Sequence, residues 1–235
     1  MNRDESVERP KGRGPEVFYR DGLYVIHPFE PTGGTWISTN ALGNSFALLN
    51  WYSAAEAVHL ENPRSRGSLT RDVSSARNPS DVEDRLAPEK LSRTMPFRLV
   101  GFFYRTRQII EWRWNGFNLE NRDHPWTQNM WASSGFDERK AQQVRRQTLE
   151  THQQPDGSSM IQWLRSFHQS HEPQSGPFSV CMHRDDAATV SYSEIETDSE
   201  KTLLRYFPGP LCQSPKSHMK ELMMTGEDSE ALKPV

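Results

Sequence analysis

Gly33-Gly34-Thr35-Trp36-Ile37-Ser38-Thr39-Asn40-Ala41-Leu42-Gly43-Asn44-Ser45-Phe46-Ala47-Leu48-Leu49-Asn50-Trp51 is the stretch that decides the fold. Residues 35–41 and 45–51 read as two strands, with Leu42-Gly43-Asn44 between them. The apolar run Phe46-Ala47-Leu48-Leu49 implies a strand covered on both faces. Gly33 and Gly34 read as turn residues with positive φ, and Trp36 reads as core. Upstream, an aromatic and β-branched run at 16–28 surrounds Asp21-Gly22 and reads as a strand or hairpin.

Downstream, residues 60–93 are rich in Ser, Arg, Asn, Pro and Asp and read as a long loop with one short helix. Residues 97–104 and 107–114 read as a hairpin. In its second arm Trp112 and Trp114 share one face, with Arg113 on the other. Residues 136–153 carry the clearest helical pattern, with Ser133 or Ser134 as caps and Asp137 and Glu138 in the first turn. Residues 158–170 form a second helix, capped by Ser158 or Ser159, with the stripe Met160, Ile161, Leu164 and Phe167. Strands are expected at 178–182, 187–195 and 201–207. The charged segment after Pro208-Gly209-Pro210 reads as disordered, which gives one domain over 1–210 and a tail over 211–235.

The chain has 235 residues, a formal net charge of -3 and a pI near 6.3. That charge argues against a nucleic-acid partner bound by phosphate neutralisation. A mean hydropathy of -0.82 is low for a compact enzyme, but seven tryptophans and eleven phenylalanines supply large buried areas. Cys181 and Cys212 form neither a disulfide framework nor a Cys-rich zinc pattern, so reduced thiols in a cytoplasmic protein are expected. Apolar runs of a few residues predict no transmembrane segment.

Asn2-Arg3-Asp4-Glu5, Gly33-Gly34-Thr35-Trp36, Asn40-Ala41-Leu42-Gly43, Ala47-Leu48-Leu49-Asn50 and Ser65-Arg66-Gly67 occur in an order that resembles the NRDE family, also called the transport and Golgi organization 2 family. The segment 181–192 has the same likeness. The resemblance implies an α+β fold, a four-layer αββα sandwich of the N-terminal-nucleophile hydrolase-like type. It also implies links to haem trafficking and to lipid and Golgi homeostasis. Family members typically begin with Met-Cys and an apolar strand ahead of Asn-Arg-Asp-Glu, whereas this sequence starts at Met1-Asn2. Neither Met1 nor Asn2 offers a nucleophile. Two explanations stand: an upstream segment carrying the Cys is missing from the sequence, or the protein is a binding or scaffold version of the fold.

The candidate site residues follow from the same comparison. By similarity to choloylglycine-hydrolase-type enzymes, Asp4 is the carboxylate that orients a nucleophile's amine, with Asn2 and Arg3 beside it. The plainer reading is a salt-bridged corner. Asn50 resembles an oxyanion-hole amide, or is a strand-terminal Asn that satisfies backbone groups. Where that hydrolase pattern has a further Asn before the long helix, this chain has Ser133-Ser134. Arg66 lies in a basic loop suited to an anionic ligand or, more plainly, balances surface charge. Cys181 and His183 alternate to one strand face about 7 Å apart. They can ligate a soft metal or haem iron, or be a buried thiol and an imidazole paired with Asp185 or Asp186. With no other Cys or His clustered nearby, no metal site is assigned. Arg184 is expected to pair with a carboxylate near Asp4. His168 and His171 read as a solvated helix end.

Three functions compete. The first is non-catalytic ligand binding or trafficking, with haem as a possible cargo. The second is an amidohydrolase acting on non-peptide C–N bonds, if an upstream Cys exists. The third is a structural domain whose cleft near Asp4 and Asn50 is filled by side chains.

Overall fold

The computed structural model describes residues 1–154 and 156–226. The chain runs β1 (Asn2–Ser6), β2 (Arg13–Arg20), β3 (Leu23–Phe29), β4 (Ile37–Asn40) and β5 (Ser45–Asn50). Then come helices α1 (Tyr52–Ala55), α2 (Arg66–Val73), α3 (Pro79–Arg85) and α4 (Pro88–Leu91). Next are β6 (Phe97–Phe103), β7 (Gln108–Trp114), β8 (Leu119–His124), α5 (Glu138–Thr151), α6 (Met160–His168), β9 (Ala187–Thr197) and β10 (Lys201–Phe207). A 3-10 turn (Leu211–Gln213) and β11 (His218–Met223) follow.

All the ladders are antiparallel. β2 to β8 form one seven-stranded sheet in chain order, and β1-β9-β10-β11 form the other. The expected hairpins are present. Asp21 and Gly22 turn β2 into β3 with φ of 47° and 76°, and Gly43 (φ 78°) turns β4 into β5. Both turns need the left-handed region that Gly, and less readily Asp, tolerates.

Alternation along the strands sorts residues into layers. Ile26, Trp36 and Ile37 of the large sheet meet Leu204 and Tyr206 of the small one between the sheets. On the outer face of the large sheet, Phe46, Leu48, Phe97, Leu99, Trp112 and Trp114 pack under Leu69, Val73, Val82, Leu86 and Leu91 of the 66–91 helical region. On the outer face of the small sheet, His168 of α6 lies 5.0 Å from the Tyr192 ring, and Arg165 of α6 is ion-paired with Glu194. Arg145 of α5 reaches Asp4 of β1. The result is a four-layer αββα sandwich.

Several expectations require correction. Residues 60–93 are not a long loop, for they hold α2, α3 and α4. Asn78 caps α3 by accepting from the Asp81 amide at 3.0 Å, and Pro79 and Pro88 each open a helix. Asp137, not Ser133 or Ser134, caps α5 through the Lys140 amide, while Ser159 caps α6 in a reciprocal capping box with Gln162. Residues 178–182 are irregular and build no ladder: Cys181 N–H bonds to Ser170 O of a preceding loop (2.9 Å), and Met182 O accepts one bond from Thr189 N–H of β9 (2.8 Å). Order continues past 210: β11 pairs with β10 from Lys201↔Met223 to Tyr206↔His218. The rest of the expected tail, 227–235, lies outside the described residues. Among the described residues, no helix is long and apolar enough to cross a membrane.

Candidate functional site

The sheets close on each other around Ile26, Trp36 and Leu204 but diverge where β1 faces β5. There a cleft of about 1500 Å³ opens, bounded by β1, β5, the start of α2 and the segment 126–135. It is not filled by side chains. Asn2, Arg3, Asp4, Asn50, Arg66 and Arg184 all border it.

β1 is positioned by backbone pairing to β9, whose register shifts by one residue so that Arg3 faces Ser191 and Asp4 faces Thr189. The ladder continues through Met1, whose nitrogen donates to Ser193 O at 2.7 Å and whose carbonyl accepts from the Ser193 amide at 2.9 Å. Asp4 is held at both oxygens. Thr189 Oγ1 donates to Oδ1 at 2.7 Å, and the Arg145 guanidinium donates to Oδ2 at 3.1 Å. Arg145 also donates to the carbonyls of Ser179 (3.1 Å) and Ser133 (3.4 Å), so one buried cation ties α5, the 179 segment and β1. Sequence reasoning missed Arg145. The available signal was its place one turn after Ala141 on the inward stripe of a helix otherwise covered in charge.

Asn2 uses both amide hydrogens internally, on His168 O (2.9 Å) and Val180 O (2.7 Å). Arg3 is buried, stacked 4.4 Å from the Trp36 ring and paired with Glu30 at 2.5 Å and Glu5 at 3.4 Å. These two residues fasten β1. Asn50 donates to the Tyr52 hydroxyl at 2.8 Å at the solvent side of the cleft.

Arg66 owes its place to glycine. Gly34 and Gly67 meet backbone to backbone, and a methyl on Gly67 would lie 3.1 Å from Gly34 Cα. Thr35 N–H donates to Gly67 O at 3.0 Å. So Gly33 takes the positive φ (84°), whereas Gly34 is needed for close approach. Arg66 donates to Pro96 O at 3.1 Å, and burial pushes its pKa down. Among the described residues, no carboxylate lies within ion-pair distance of it.

Three expectations fail here. Arg184 pairs not with a carboxylate near Asp4 but with Asp186, two residues along, and stacks 4.9 Å from Phe136. His183 does not border the cleft. Its ring lies against Cys181, Cys212 and His171, so the Cys181–His183 pair has the clustered neighbours that the linear sequence did not reveal. His168 is half-buried against Tyr192 rather than solvated, and desolvation pushes its pKa well below 6.5.

Fold and site define an αββα sandwich with an open, arginine-bordered cleft between its sheets. The family model for Transport and Golgi organisation 2 matches residues 1–203, and the chain belongs to that family. Among solved structures it is similar to penicillin V acylase from Agrobacterium tumefaciens, with a TM-score of 0.48 at 11% identity over 92% of this chain and 80% of that one. No curated protein matches the sequence.

Proposed function

We propose that this protein binds a small, largely apolar molecule bearing an acidic group in the cleft between its sheets. Its role is non-catalytic carriage, with haem or a lipid as cargo. The observation that carries the reading is Arg66, a guanidinium partly drawn out of water at the cleft border, hydrogen-bonded to a carbonyl and touched by Glu5 only from beyond ion-pair distance. Such a cation favours a carboxylate or phosphate in bidentate contact. Trp36, Leu49, Phe102 and Trp131 supply apolar wall, and about 1500 Å³ exceeds the roughly 300–1,000 Å³ of ordinary small-molecule sites.

Titration of the purified chain with haem and, separately, with a long-chain fatty acid, followed by tryptophan quenching, tests this. Saturable binding of one of them is expected, and Arg66→Gln should weaken it about 10-fold or more, the worth of one charge-assisted hydrogen bond. Equal affinity in the variant, or no saturable binding of either, overturns the reading.

A second reading is supported by Asp4. A carboxylate fixed at both oxygens beside the cleft suits the orientation of a nucleophile's amine. It becomes an amidohydrolase of non-peptide C–N bonds if the native protein carries a Cys upstream of Met1. The intact mass of the protein from its native source decides. A mass near 27.1 kDa removes this reading, and a larger mass with an N-terminal Cys restores it.

A further inference from the structure

His171, Cys181, His183 and Cys212 come from three separate parts of the chain. His171 follows the end of α6, Cys181 and His183 sit in the irregular segment before β9, and Cys212 is in the 3-10 turn after β10. One potential ligand atom from each lies within 4.8 Å of every other. The irregular segment is fixed from behind, with Cys181 N–H on Ser170 O (2.9 Å), His183 N–H on Gly176 O (3.3 Å) and Met182 N–H on Thr189 Oγ1 (2.9 Å).

The geometry points to a zinc site of the Cys₂His₂ type on these four residues. The Cys181 and Cys212 sulfurs are 3.5 Å apart, and His183 Nε2 is 3.5 Å from each. Bond lengths of about 2.3 Å to sulfur and 2.0–2.1 Å to nitrogen give tetrahedral edges of about 3.8 Å for S···S and 3.6 Å for S···N. A disulfide needs about 2.05 Å, so the thiols are spaced for a shared ion rather than for each other. His171 Nε2 is buried with no hydrogen-bond partner. A polar atom is left in that state only at a cost, which a bound cation removes. Two thiolates and two imidazoles suit zinc over the hard cations, and four protein ligands leave no open position. The site is therefore structural. On binding, the two thiols release their protons to solvent.

The consequence reaches the cleft. Val180 and Met182 flank Cys181 and line it, and Val180 O holds the Asn2 amide. The ion would lock that wall to α6 and to the turn leading into β11.

The test uses the full chain, produced in zinc-supplemented medium and purified without chelator or nickel resin. Elemental analysis should find about one zinc per chain, and a chelator strong enough to remove it should lower the melting midpoint by more than about 10 °C. Cobalt(II) in its place should give intense tetrahedral d–d bands and a thiolate charge-transfer band. Cys212→Ser and His183→Ala should lose the ion, while His183→Cys, which restores a ligand, should retain it and so separates ligand loss from misfolding. Metal-free protein whose two cysteines are joined, read as a mass lower by two hydrogens, would overturn the assignment. So would Cys212→Ser protein that binds as much zinc as the wild type.

Discussion

Glu194 is the most demanding electrostatic position in the fold. Its side chain is 1% exposed in the middle strand β9, and it meets two arginines. Arg165 from α6 approaches in bidentate fashion through Nε (2.9 Å) and its terminal nitrogen, while Arg205 from β10 donates to the same Oε1. Replacing Glu194 by Gln keeps the shape but leaves two guanidiniums facing a neutral amide. Removing one member of a buried pair costs about 3–5 kcal/mol. The arginines are 33% and 21% exposed, so water rehydrates them in part and the lower end applies, about 3 kcal/mol. At this chain length that is a fall in melting midpoint of about 6–12 °C. The assay is thermal and urea unfolding by circular dichroism at pH 7 and again at acid pH. Burial alone would raise the Glu194 pKa, but the hydrogen bonds from Arg165 and Arg205 outweigh it and hold it below 4.5. A depressed carboxylate stabilises fully above 4.5 and loses that contribution as pH falls through its lowered value. The gap between wild type and Glu194→Gln should therefore narrow as pH drops below 4.5. A variant within about 1 kcal/mol of wild type at pH 7 would refute the reasoning, as would a gap that does not change with pH.

Three further outcomes follow from buried groups. Gly101→Ala places a methyl 2.8 Å from Trp112 Cζ3 and 3.3 Å from Phe46, so it should cost about 1–3 kcal/mol in urea unfolding; a neutral result would mean that the layer under α2 is loosely packed. Asn40→Ala removes amide bonds to Ser74 O and Ala76 O and acceptor contacts to the Leu42 and Asn44 amides, and should destabilise by about 2–4 kcal/mol, read by the same titration. Burial lowers the His27 pKa from 6.5 to about 4, so the unfolded chain takes up the proton first and stability falls as pH drops from 6.5 toward 4. His27→Leu should flatten the stability profile in that window, and an unchanged profile would place the titration elsewhere.

Local signals made the strands legible. Asp21-Gly22 and Gly43 announced their turns, and the Phe46 to Leu49 run announced a strand, though not one covered on both faces: Phe46 and Leu48 are buried, whereas Ala47 and Leu49 are half-exposed on the cleft. Elements whose stability comes from tertiary packing were not legible. α3 buries only Val82, and α2 shows Leu69 and Val73 inside a polar segment, so periodicity was faint although Asn78-Pro79 is a start signal. β8 and β11 are exposed over most of their length, each with a neighbour on one side only, so neither shows a clean alternation. At the candidate site, Asp4 and Asn50 were placed on one cleft through resemblance. Arg145, 141 residues from Asp4, and Cys212, 29 residues from His183, are partners that no local window brings together.

The sheet margins have a consequence for solubility. Among the described residues, the four outermost strands are β1, β11, β2 and β8. β1 carries Arg3, Asp4 and Glu5 and pairs in an irregular register. β2 contains Pro15 and an irregular register, β11 has Lys220 and Glu221, and β8 has Glu120, Arg122 and Asp123. Charge, proline and bulge are the devices that stop an unpaired strand from recruiting another chain. Each margin has at least one, so the hydrophilic residues that depress the mean hydropathy are also guards against self-templated aggregation. Exchanging the β8 charges for valine would leave the interior untouched and yet turn that margin into a nucleus for fibril growth.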